Sequence, residues 1–138
     1  KMESYDGIPE NLALVDAAPG GCAIVHSDSE EGIQRLNQEA AKGMAYGARM
    51  GREITPEHAI LWLTANPAKS LGIEARTGTL EIGKAADVVV WNGNPFSVRA
   101  LTEQVFIDGA VRFDRSAPRA LPESDFLLGQ PAIAGVTP

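Results

Sequence analysis

The sequence predicts an α/β fold that is helical up to about Gly72 and antiparallel β beyond it. Three observations predict this. A short apolar run, Cys22-Ala23-Ile24-Val25, follows Pro19-Gly20-Gly21 and turns abruptly polar at His26-Ser27-Asp28, as a strand buried on both faces does when it feeds a helix. Apolar residues then recur at threes and fours from Gly32 to Met50 and again from Thr55 to Leu63. After Ile73 the period shortens to two, and Asp108-Gly109 stands between two alternating segments, a strong hairpin signal.

The elements follow in order. Ile8-Pro9-Glu10 opens a first helix that carries Leu12 and Val15 and stops at Pro19-Gly20-Gly21. Cys22 to Val25 is the buried strand. In the helix from Gly32 to Met50, Ile33, Leu36, Ala40, Met44 and Ala48 mark the apolar side, and Gly43, Gly47 and Gly51 recur along one side as points of close approach to another backbone. Thr55-Pro56-Glu57 starts the next helix with a cap, a proline at the first position and an acid in the first turn. Its buried face is Ala59, Ile60, Trp62 and Leu63; Asn66-Pro67 ends it, and Asn66 caps a short turn closed by Gly72. Thr79-Leu80-Glu81-Ile82 and Asp87 to Trp91 read as strands, followed by Gln104 to Ile107 and Ala110 to Phe113 around the hairpin loop. Beyond Arg115, spaced prolines suggest an irregular tail.

Composition narrows the function. With 138 residues the chain has the size of one domain. A formal net charge of −6 argues against a nucleic-acid partner, which needs a basic patch. No run approaches the roughly 20 apolar residues of a membrane helix, and the lone Cys22 permits no internal disulfide. Lys1 is an unusual first residue, so the chain reads as cut at its beginning, and its compartment is unknown, cytoplasmic by default.

Chemistry is expected where the strand meets the helix, because the carboxyl edge of the strands carries the sites of α/β folds. His26, Ser27 and Asp28 stand there. The same residues also fit capping boxes, Ser27-x-x-Glu30 and Asp28-x-x-Glu31, and spacing alone leaves both readings open. His58, without a histidine or cysteine nearby, reads as structural or solvent-facing.

Four blocks in order resemble the C-terminal part of the amidohydrolase superfamily, in particular its imidazolonepropionase-like members. They are Val25-His26-Ser27-Asp28; Ile54 to Ala59 leading to Thr64-Ala65-Asn66-Pro67-Ala68-Lys69-Ser70-Leu71-Gly72; Gly78 to Trp91; and Val105 to Val111. The resemblance covers about residues 8 to 114. It implies the end of a distorted (β/α)8 TIM barrel over residues 1–72, antiparallel strands of a small β-sandwich over residues 73–115, and a tail over 116–138. It further implies a metal-dependent hydrolase that cleaves a C–N bond, in a cyclic amide or peptide-like substrate, with metal-activated water. The divalent metal would be zinc, one or two ions. Asp28 matches the catalytic aspartate that faces the metal and shuttles the proton, and His26 matches a neighbouring position that supports the site.

The family's other metal ligands have no counterpart here. The chain has two histidines, His26 and His58, whereas a catalytic zinc takes three protein ligands. The expected identity is therefore a C-terminal fragment of such an enzyme. Its partner would be the missing N-terminal part or a second copy of the chain, in an oligomer without nucleic acid or membrane. The rivals are a non-catalytic helix-plus-sheet interaction module and an inactive truncation product.

Overall fold

The computed structural model describes residues 7–117. Lys1 to Asp6 and most of the tail expected beyond Arg115, from residue 118, lie outside the described residues. The element order is α1 (Asn11–Ala17), a 3-10 turn (Gly32–Arg35), α2 (Leu36–Arg49), α3 (Pro56–Ala59), a second 3-10 turn (Ile60–Leu63), α4 (Ala65–Ser70), then β1 (Val88–Trp91), β2 (Thr102–Ile107) and β3 (Ala110–Asp114). The strands form one antiparallel meander in the order β1-β2-β3. The last helix ends at Ser70 and the first strand begins only at Val88.

The helical body closes around small residues. α2 turns Ala40, Gly43 and Gly47 inward, and the bare Gly43 leaves room for Leu12 and Trp62, where an added Cβ would stand 2.4 Å from the Leu12 side chain. Gly47 does the same for Ile54 and Ala13, so the closely approaching atoms are mainly neighbouring side chains. Gly51 differs: it follows the helix end with φ of 76°, facing open space. Ala23, Ala40, Ala59, Trp62 and Phe96 make one buried cluster, flanked by Leu12, Val25, Met44, Ile54, Ile60 and Leu63. Phe96 reaches it from the loop after β1, whose Pro95 oxygen accepts from the Asn37 amide at 2.6 Å. That loop fastens the sheet to the helices, since no helix packs against a strand among the described residues.

Four local expectations are corrected. Cys22 to Val25 forms no ladder, because no other strand lies beside it among the described residues. Thr79 to Ile82 is not a strand either; Leu80 and Ile82 are strongly exposed, an alternating face left uncovered among the described residues. The helix from Thr55 breaks at Thr64 (φ −129°, ψ −82°), and Asn66 and Pro67 sit inside the first turn of α4. Proline is tolerated there because first-turn N–H groups have no partner within the helix. The helix foreseen from Gly32 starts as a tighter 3-10 turn and becomes α-helical at Leu36.

The hairpin follows the sequence closely. Ile107 pairs with Ala110 across a two-residue loop, and Asp108 (φ 50°) and Gly109 (φ 77°) are both left-handed, as a type I′ turn requires. The loop is pinned to the stretch before β1: Gly109 N–H donates to the Ala86 oxygen, and Asp108 N–H to the Asp87 carboxylate. A register shift between Val105 and Phe106 leaves Arg112 as an extra residue on β3.

Candidate functional site

Asp28 sits at the exit of the Cys22–Val25 run, between that run and the helical turn at Gly32. His26 Nδ1 lies 3.7 Å from Asp28 Oδ1, and both side chains are about three-quarters exposed, 77% and 74%. The structure therefore brings together the two residues singled out in the sequence, on an open surface.

A cap at this junction comes from Ser29. Ser29 Oγ accepts the N–H groups of Glu31 and Gly32, both at 3.2 Å. The Glu31 N–H is the donor that a capping box centred on Asp28 would use. Ser27 Oγ in turn accepts from Ser29 N–H at 3.1 Å. The Ile33 N–H closes the same turn on the Ser29 oxygen at 3.0 Å.

The run leading to Asp28 is held from one side. Val25 N–H donates to the Trp62 oxygen at 3.2 Å, the Asn66 side-chain amide donates to the Ala23 oxygen at 2.8 Å, and Cys22 Sγ approaches the Asn66 oxygen at 3.8 Å. Bonding at Ala23 and Val25 is the period-two pattern of an extended chain with one edge satisfied. That edge of the run is occupied by Trp62 and Asn66. Neither interaction had a sequence signal, since the partners lie about forty residues apart.

Asp16 forms a second polar centre that the sequence did not reveal. Its Oδ1 accepts the indole N–H of Trp62 at 2.7 Å, and His58 Nε2 lies 2.8 and 3.0 Å from its two oxygens. The His58 and Trp62 rings meet edge-on, 6.1 Å apart. His58 is thus a structural link between α1 and α3, as its isolation in the sequence suggested.

A cleft of about 450 Å³ runs beside the strand-like segment, with His26 at its rim and Glu39, Lys42 and Tyr46 of α2 opposite. A larger groove, about 600 Å³, is lined by Leu61, Leu63, Leu71 and Leu80, and Asp28 is not part of its lining. Among the described residues no three His, Cys, Asp or Glu side chains converge. His26 and Asp28 by themselves do not fit a catalytic metal, which needs three protein ligands.

A helical body and an antiparallel sheet thus carry a histidine and a carboxylate at the end of one extended run. The comparisons give the chain a family. Residues 18–113 match the model of the amidohydrolase family, and the chain belongs to that family. It is 39% identical over 135 residues to amidohydrolase tasK of Hapsidospora irregularis, which covers 93% of this chain and 13% of the relative. It is 54% identical over 39 residues to an imidazolonepropionase of Pseudomonas syringae pv. tomato, covering 28% of this chain and 10% of that protein. Among solved structures, an amidohydrolase from Thermotoga maritima MSB8 superimposes with a TM-score of 0.68 at 37% identity, over 83% of this chain and 28% of that one. The chain spans about an eighth of the first relative and under a third of the solved structure.

Proposed function

We propose that this chain supplies the closing part of an amidohydrolase that hydrolyses a C–N bond, in a cyclic amide or peptide-like compound, with metal-activated water. The imidazolonepropionases among its relatives favour the cyclic-amide class. In this reading residues 1–72 belong to the end of a (β/α)8 barrel, with Cys22 to His26 as a barrel strand, and residues 73–115 to a small β-sandwich. The observation that carries it is the position of Asp28: an exposed carboxylate at the exit of the strand-like run, inside the stretch that matches the family.

Asp28 accepts a proton from the attacking water and returns it to the leaving nitrogen, and His26, 3.7 Å away, supports the carboxylate. A divalent metal, zinc being the expected one, would activate the water when bound, with Asp28 as the one candidate ligand this chain offers. Its remaining ligands must come from outside the described residues, because His26 and Asp28 do not suffice. The partner in this reading is the rest of the same enzyme. Exposed Leu71, Leu80, Ile82 and Val98 support that, as does a core whose only large buried side chains, among the described residues, are Trp62 and Phe96.

The test is Asp28→Asn in the assembled enzyme. Asn preserves the shape and removes the base, so turnover per bound metal should fall by about 10²–10⁴-fold while the thermal midpoint stays near its starting value. Full turnover in the Asn variant would make the junction structural.

A further inference from the structure

The segment that carries Asp28 has no ladder of its own, so its position is set by the few groups that touch it. Asn66 touches it twice: the side-chain amide donates to the Ala23 oxygen at 2.8 Å, and its main-chain oxygen receives Cys22 Sγ at 3.8 Å. Ala23 is buried at 1% exposure, so its carbonyl has no ready substitute in water if that donor is removed. Asn66 is itself fixed by the first turn of α4, where Ala68 N–H closes on the Thr64 oxygen. Beyond Val25 the path to Asp28 is three residues long and is fastened again by Ser27 and Ser29 to the next helical turn. Asn66 thus grips the segment below the carboxylate, and the serines grip it above.

We infer that Asn66 is a positioning residue for Asp28: its amide holds the Ala23 carbonyl and so sets where the carboxylate stands relative to the reacting bond. This rests on the proton-shuttle reading of Asp28. Misplacing a catalytic group by about 1 Å from a remote mutation can cost about 10²-fold in rate, and a shift of the 22–28 segment is a displacement of that kind.

The test uses the assembled enzyme with two probes, an N-acyl amino-acid p-nitroanilide and the cyclic imide succinimide. Asn66→Ala should lower kcat by about 10–100-fold with KM little changed. Asn66→Asp keeps the shape without the amide donor and should act in the same direction, which guards against a variant that fails to fold. In the Asp28→Asn background, Asn66→Ala should add nothing, because the group it acts through is gone. A full further loss in the double variant, or an unchanged kcat in both single variants, overturns the inference. A second readout needs no turnover: in the 138-residue chain, Asn66→Ala should speed amide hydrogen exchange at Val25 and move the Asp28 side-chain carboxyl resonance. If neither moves, Asn66 does not hold Asp28. Wild-type enzyme that leaves both probes intact removes support from the amidohydrolase reading, and the exchange and resonance data then decide about Asn66.

Discussion

The indole N–H of Trp62 donates to the Asp16 carboxylate at 2.7 Å, joining the first helix to the segment whose backbone oxygen holds Val25. Trp62 is fully buried, so its N–H has no other outlet once Asp16 is gone. Asp16→Ala should therefore destabilise the chain by about 1–3 kcal/mol, measured by urea unfolding. Asp16→Asn retains an acceptor for the indole and should cost less. If Ala and Asn prove equally mild, the contact carries little of the fold.

Gly78 lies against α4 with φ of 94°, and a Cβ there would meet the Ala68 Cβ at 2.5 Å and the Thr64 oxygen at 3.1 Å. Gly78→Ala combines an unfavourable backbone region with a contact that rigid neighbours cannot relieve. It should cost about 1–3 kcal/mol. Gly83→Ala has a similar φ of 94° but open space around it, and should cost less. Equal midpoints for the two in thermal melts would show that the α4 contact is slack.

Acid should loosen the chain through identifiable carboxylates. Asp114 is held below its ordinary value by the Ser116 hydroxyl first and the Gln104 amide next. Glu57 is lowered by its own backbone N–H and the Thr55 hydroxyl, and Glu81 by the Thr79 hydroxyl and then the Lys84 charge. A carboxylate with a depressed folded value contributes stability above its unfolded pKa, and that contribution is lost as pH falls through the folded one. The melting midpoint should thus hold from neutrality to about pH 4.5 and decline below it, since the ordinary values are 4.5 for glutamate and 3.8 for aspartate. Asp114→Asn should flatten part of that decline. An unchanged acid limb in this variant would exonerate Asp114.

By itself the chain should associate. Leu80 and Ile82 form an uncovered apolar face, and the Ile24 side of the strand-like run has no backbone partner among the described residues. Light scattering should show a mass that grows with concentration, and Leu80→Ser with Ile82→Lys should shift it toward the monomer. A stable monomer at micromolar concentration would favour the self-standing interaction module instead.

The sequence by itself determined the local geometry. Asp108-Gly109 dictated a type I′ hairpin because both positions need left-handed backbone. Thr55-Pro56 dictated a helix start, with Thr55 Oγ1 accepting from the His58 N–H. Gly72 ended α4 at φ of 69°. The motif order pointed to the amidohydrolase family, and the junction at Asp28 stood out because a strand-to-helix boundary is visible in periodicity. Only the tertiary structure decided what Asn66 does. Its sequence neighbourhood reads as a cap, but it lies inside the first turn of α4, and its side-chain amide donates to the distant Ala23 carbonyl. It also decided that Asp16 serves Trp62 and His58, and that Ser29 accepts the Glu31 N–H at the junction. Long-range hydrogen bonds leave no period in the sequence, since they depend on which elements happen to pack together. Likewise Leu80-Glu81-Ile82 carries the alternation of a strand, yet a strand exists only where another backbone completes its ladder.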